Sequence, residues 1–246
     1  MPVTMSAGST LAAAVCAALL LTGCTAARPA PQAAGKSPVT QAGPEPLDAP
    51  RQIPGLGPGL RARIPDGTRQ ALVVSGGTAD TNVAQAMLYE RDARRSWRLV
   101  AGPWPAHNAL RGWTDDHHAG DLRTPIGVFG LGDAGGRSPD PGTRLPYDQD
   151  EEFVAPGTGF LGEPLEGSFD YVIAIDYNRV PGTSPLDKER PLGLGKGSGV
   201  WIHVDHQGPT QACISLTEDR MRELLRALDP DKEPVIVMGP APALGK

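Results

Sequence analysis

The sequence predicts a mainly β domain carrying one packed helix, and three observations lead there. Glycine occurs 31 times and proline 26 times in 246 residues, counts that favour a loop-rich β fold over a helix bundle. The apolar residues come in short runs bounded by Gly, Pro, Asn or Asp, the signature of strands. Only Thr217 to Leu228 is clearly helical, with apolar residues at helical spacing.

Taken in order, Gln70 to Val74 is an apolar run ended by Gly76-Gly77 and predicts a first strand. Ala86 to Tyr89 and Trp97 to Val100 predict a second and third, joined by the charged turn Arg91 to Ser96, so the domain opens as an antiparallel meander. A polar, Gly-containing stretch from Asn108 to Arg123 follows, then a strand over Pro125 to Leu131. Asp133 to Gly167 is rich in Gly and Pro and reads mostly as loop. Tyr171 to Tyr177 is nearly continuous in apolar character, which predicts a central strand covered on both faces. In Gly199 to Val204, alternation puts Val200, Ile202 and Val204 on one face and Trp201, His203 and Asp205 on the other. A tight turn, Gly208 to Cys213, feeds the short run Ile214 to Leu216. In the helix, Met221, Leu224, Leu225 and Leu228 form one stripe, Thr217 is the expected cap, and Asp229-Pro230 stops it. Pro234 to Met238 is the last strand.

The N-terminus has the anatomy of an export signal. Leu11 to Leu21 is apolar, too short to span a bilayer but suited to a signal core. It ends in Leu21-Thr22-Gly23-Cys24, which resembles the lipobox of bacterial lipoproteins. That resemblance implies removal of residues 1–23, acylation of Cys24 and a lipid anchor on the outer face of the cell membrane. No Lys or Arg precedes the apolar run, a departure from the usual signal. Residues 24–66 are rich in Ala, Pro and Gly and predict a flexible tether, leaving 67–246 as the folded domain.

Charged residues are 21% of the chain and the net charge is −5. This suits a globular domain and offers no basic field to attract nucleic acid. The cysteines are Cys16, Cys24 and Cys213. The first falls in the signal and the second at its end, so Cys213 is the one free thiol expected in the mature domain. His203 ends a strand and Cys213 leaves a turn that returns to the sheet, a geometry that can bring an imidazole within hydrogen-bonding reach of a thiol. Such a pair suits nucleophilic catalysis: the thiolate attacks, and the histidine moves the proton. Backbone N–H groups around Gln211, Ala212 and Cys213 can form an oxyanion site. Equally, a lone cysteine after a turn serves as a small buried apolar group, and a histidine at a strand end as a structural hydrogen-bonder.

Two blocks go further. Gly199-Val-Trp-Ile-His203 with Gly208-Pro-Thr-Gln-Ala-Cys213-Ile-Ser-Leu216, and earlier Asp121-Leu-Arg-Thr-Pro-Ile-Gly-Val-Phe129, resemble the L,D-transpeptidase catalytic domain (YkuD type) over roughly residues 70 to 239. The resemblance implies a β-sandwich or barrel with one packed helix at about 217–228, Cys213 as nucleophile and His203 as acid/base. The turn would be formed by Thr210, Gln211 and Ala212. It implies peptidoglycan stem peptides as substrate, a thioester intermediate, and no metal or organic cofactor. The family's turn usually has His and Gly where this chain has Gln211 and Ala212. If that turn needs positive φ, Ala212 is strained. These departures keep open a wall-binding lipoprotein without turnover. If water replaces the acceptor amine, the activity is that of an L,D-carboxypeptidase.

His203, His206 and Cys213 are residue types that bind zinc, and His203 and His206 have His-x2-His spacing. Residues three apart on a strand point to opposite faces, which argues against that pairing. Asp115, Asp116, His117 and His118 form a polar cluster that reads as a solvated loop or a rim contact. Trp113, Tyr177 and Trp201 read as core or groove residues, and Asp205 as a group that can orient the His203 ring.

Overall fold

A computed structural model describes residues 51–246; the segment expected to be an export signal, Cys16 and Cys24 lie outside the described residues. Within them the fold is mainly β. Strand β1 (Gln70–Gly76) pairs antiparallel with β2 (Val83–Arg91), and β2 with β3 (Trp97–His107), giving the expected meander. β3 runs well past Val100, through Gly102-Pro103-Trp104-Pro105 to His107. The β2–β3 register shifts between Ala86 and Leu88, opposite Gly102, whose φ is 94°. A Cβ at Gly102 would stand 2.6 Å from the Ala86 carbonyl oxygen, so glycine lets the strand bulge and continue.

The expected strand over Pro125 to Leu131 is split at Ile126. Strand β4 (Trp113–Thr114) pairs with β5 (Thr124–Pro125) as a separate ribbon, while β6 (Gly127–Gly130) joins the main sheet. The stretch read as loop holds two short strands, β7 (Ala134–Gly136) and β8 (Tyr147–Gln149). Of Tyr171 to Tyr177 only β9 (Val172–Ala174) pairs as strand, and it is central and fully buried as expected. With β10 (Trp201–Val204), β11 (Ile214–Leu216) and β12 (Val235–Pro240), the ten-stranded order is β6-β12-β1-β2-β3-β11-β10-β9-β7-β8.

This mixed sheet folds over on itself. Leu72, Val74, Leu88 and Trp104 from one half share a core with Ile173, Ile202, Ile214 and Leu216 from the other. The packed helix, α2 (Glu218–Ala227), buries Met221, Leu224 and Leu225 in that same core. Thr217 stands at its N-cap, but its side chain makes no capping bond, a correction to the expected cap; Glu218 and Asp219 still complement the helix's positive end.

The alternate residues of β1 and β12, Ala71, Val73, Val235 and Val237, face a second core closed by Ile53, Leu56, Leu60 and Leu244. The folded part therefore begins well before residue 67. The single-turn helix α1 (Pro58–Arg61) lies in the segment expected to be tether, and the Gly57 N–H donates to the Leu244 carbonyl at 2.7 Å. Pro and Gly dominate the composition there, yet three spaced apolar side chains suffice to cover a sheet face that would otherwise meet water.

Candidate functional site

β10 and β11 run parallel, with Ile202 level with Ile214 and His203 level with Ser215. Ile202 and Ile214 point into the core. Strand alternation then puts Trp201, His203, Cys213 and Ser215 on the opposite face. The register continues to bring Cys213 level with Trp201, so thiol and imidazole lie diagonally on one face of neighbouring strands. Both line a cavity of about 750 Å³, together with Thr210, Gln211 and Ala212.

The thiol and the imidazole do not hydrogen-bond to each other in this state. Cys213 Sγ lies 3.5 Å from the Gly199 carbonyl oxygen, as donor, and 3.4 Å from the Trp201 N–H, as acceptor. His203 Nδ1 lies 2.9 Å from the Val204 carbonyl oxygen. A carbonyl oxygen only accepts, so Nδ1 carries the proton and Nε2 keeps its lone pair. His203 is buried, and that burial pushes its pKa down to about 4. Burial pushes the Cys213 thiol up to about 11 against the weaker opposing effect of the Trp201 N–H. The resting pair is therefore a neutral thiol beside a neutral imidazole.

The turn before Cys213 is held at both ends. Thr210 donates its N–H to the Asn108 carbonyl at 3.0 Å, its own carbonyl accepts from Leu110 N–H at 2.9 Å, and its hydroxyl donates to the Cys213 carbonyl at 2.6 Å. The Thr210 N–H is thus spoken for and cannot serve an oxyanion. Among the described residues the N–H groups of Gln211 and Ala212 find no acceptor, and both residues line the cavity. Positive φ at non-glycine residues occurs at Arg95, Leu122, Asn178, Gln207 and Glu233. Ala212 is not among them, so the strain expected of an alanine in this turn is absent.

Asp205 does not orient His203. Its Oδ1 accepts from His107 Nδ1 and from Ser215 Oγ, each at 2.7 Å, and its Oδ2 accepts from the Gln207 N–H at 3.2 Å. β10 ends at Val204, so the alternation that placed Asp205 beside His203 stops one residue short. The same ending brings His206 back to the cavity. Its ring stacks on His203 with centroids 5.8 Å apart and planes 10° apart. Opposite-face geometry thus fails for this histidine pair, although among the described residues no group of three or more His, Cys, Asp or Glu is placed to hold a metal.

The polar cluster divides. Asp115, Asp116 and His118 are exposed, but His117 is buried and lines the cavity, its ring edge-on to Tyr177 at 5.3 Å. His117 Nδ1 lies 3.0 Å from Asp121 Oδ1 without the alignment of a hydrogen bond. Trp113 is core, while Trp201 packs edge-on to Phe169 on the cavity wall. Two charged residues escaped the sequence reading. Glu163 holds His206 Nδ1 at 3.1 Å in a pair largely shielded from water, and Arg190 lines the cavity. Both lie in Gly- and Pro-rich segments with no periodicity to mark them.

Compared with family models, curated proteins and solved structures, the chain finds no match.

Proposed function

We propose that this domain performs cysteine-dependent acyl transfer on peptidoglycan stem peptides, in the manner of an L,D-transpeptidase. The observation that carries the reading is the fixed tautomer of His203 on the same cavity wall as Cys213. A histidine whose Nδ1–H is committed to a backbone carbonyl offers Nε2 as a base, which a neutral thiol needs.

In the proposed reaction, Sγ rotates away from the Gly199 carbonyl and attacks the carbonyl carbon of the scissile amide. The S–H proton passes to His203 Nε2 as the S–C bond forms. The developing oxyanion meets the N–H groups of Gln211 and Ala212. His203 then returns the proton to the amide nitrogen, the C–N bond breaks, and the terminal amino acid leaves. An amine of a second stem attacks the thioester, gives its proton to His203 and expels the Cys213 sulfur, which takes that proton back. With water in place of the amine the product is a trimmed stem, the outcome of an L,D-carboxypeptidase. No step calls for a metal or organic cofactor. The lipobox reading adds that the protein is exported and anchored by lipid at Cys24 to the outer face of the cell membrane.

One observation favours the second reading, a wall-binding lipoprotein without turnover: burial holds the thiol protonated, far from a resting thiolate. Incubation with a defined tetrapeptide stem and an acceptor stem, with products read by mass, separates the two. The enzyme reading expects loss of the terminal residue and a cross-linked product. It also expects Cys213→Ala and His203→Ala each to lower the rate by roughly a thousandfold or more, because nucleophile and base act as a unit. Undiminished turnover in Cys213→Ala overturns it.

A further inference from the structure

Among the residues that line the cavity of Cys213, Arg190 is the one that bears a fixed charge. The rest of the wall is apolar, glycine, hydroxyl, amide or imidazole, and His203 there is neutral near pH 7. Arg190 as a residue is half-buried. Its Nη1 donates to the Asp187 carbonyl at 3.2 Å and the Glu189 carbonyl at 3.0 Å. Among the described residues no carboxylate approaches it within ion-pair distance, although other arginines, such as Arg144 and Arg179, each pair with two. The protein's net charge is −5, so acidic partners are plentiful and this arginine has none. Two main-chain carbonyls fix one arm, while Nη2 and Nε keep their donors for something else.

Its place in the chain ties it to the reacting atoms. Arg190 opens the segment that runs through Leu194, Gly197, Ser198 and Gly199 along the cavity wall and ends at the carbonyl the Cys213 thiol touches. A cation held on one wall, where the nearby Glu163 carboxylate is already taken up by His206, selects an anion of the ligand, and a guanidinium fork matches the planar geometry of a carboxylate.

We infer that Arg190 is a specificity residue that binds a carboxylate of the peptide substrate, so that the site takes peptides bearing a free carboxylate near the scissile bond. The inference rests on the acyl-transfer reading for the identity of the ligand as a stem peptide. Two carboxylates of such a peptide have this chemistry: the C-terminal one, on the residue that leaves, and a side-chain one, on the residue that supplies the acyl group.

Equilibrium binding to the full-length chain carrying Cys213→Ala tests it without turnover. The probes are a tetrapeptide stem, its C-terminal amide, and its side-chain amide. The expected result is that one amidation weakens binding by about 10- to 100-fold, the range for a charge-assisted hydrogen-bonded contact. The amide that weakens binding identifies the carboxylate. Adding Arg190→Gln should remove the difference between that amide and the acid, and Arg190→Lys should restore part of it. A thermal melt of each variant checks that the fold is kept. Equal binding of the acid and both amides overturns the role of Arg190 and leaves the acyl-transfer reading standing. Absence of binding by all three overturns both together. Discrimination that persists in folded Arg190→Gln also overturns the inference, since another group then reads the carboxylate.

Discussion

His203 Nδ1 sits 2.9 Å from the carbonyl oxygen of Val204, the next residue of its own strand. That bond decides which nitrogen keeps its lone pair, and the burial that accompanies it decides the charge. Burial lowers the pKa of His203 to about 4, below the ordinary histidine value of about 6.5. A depressed pKa means that protons favour the unfolded chain. The contribution of His203 to stability is therefore full above about pH 6.5 and is lost as the pH falls towards about 4. The loss is on the order of 3 kcal/mol. His117, also lowered by burial, acts in the same direction; His107, raised by its bond to Asp205, loses its contribution as the pH rises instead. Urea unfolding from pH 4 to 8 of the wild type and His203→Gln isolates the effect. The two curves should converge as the pH falls, and a constant offset would contradict the assignment.

The thiol should be slow at rest. With burial pushing Cys213 up to about 11, its iodoacetamide labelling near pH 7.5 should be slower than that of a free cysteine. The rate should climb about tenfold per pH unit, with no plateau below pH 9. A plateau below pH 8 would mean a stable thiolate, and with it a thiolate–imidazolium pair that the observed hydrogen bonds do not support.

Ala212 tests the turn. Because its φ is not positive, replacing it by glycine relieves nothing and loosens the unfolded chain. Ala212→Gly should cost about 0.5–1 kcal/mol of stability and leave the rate of Cys213 acylation unchanged or lower. A several-fold gain in acylation would show that the alanine constrains the oxyanion donors after all.

Leu60 tests the second core. It is buried with Ile53 and Leu56 against Val73 and Val237. Leu60→Ala should cost about 2–4 kcal/mol and lower the melting temperature by several degrees. Leu192→Ala, at a 62%-exposed position, should change it little. Equal melting temperatures for the wild type and Leu60→Ala would return residues 51–66 to the role of tether.

Much of this was legible in the sequence where a period is long enough to count. The α2 stripe and the opening meander follow from spacings of 3.6 and 2, and the turn Gly208 to Cys213 signals that Cys213 returns to the sheet near His203. Legibility failed where a short element ends. β10 stops at Val204, so alternation misplaced both Asp205 and His206. It failed too where glycine and proline dominate. Ile53, Leu56 and Leu60 are three apolar residues in a segment of loop composition, and nothing local shows that a bare sheet face awaits them. Glu163 and Arg190 reach the site from loops 50 and 23 residues before Cys213, and only the folded chain brings them there.

If Cys213 takes an acyl group from a stem peptide, intact-protein mass spectrometry detects the thioester. The protein is mixed with a tetrapeptide stem and quenched in acid within seconds, before an acceptor can turn the thioester over. The expected result is a mass increase equal to the tetrapeptide less its terminal amino acid, carried on Cys213, discharged by hydroxylamine and absent from Cys213→Ala. No adduct at saturating peptide, or an adduct that persists in Cys213→Ala, would contradict it.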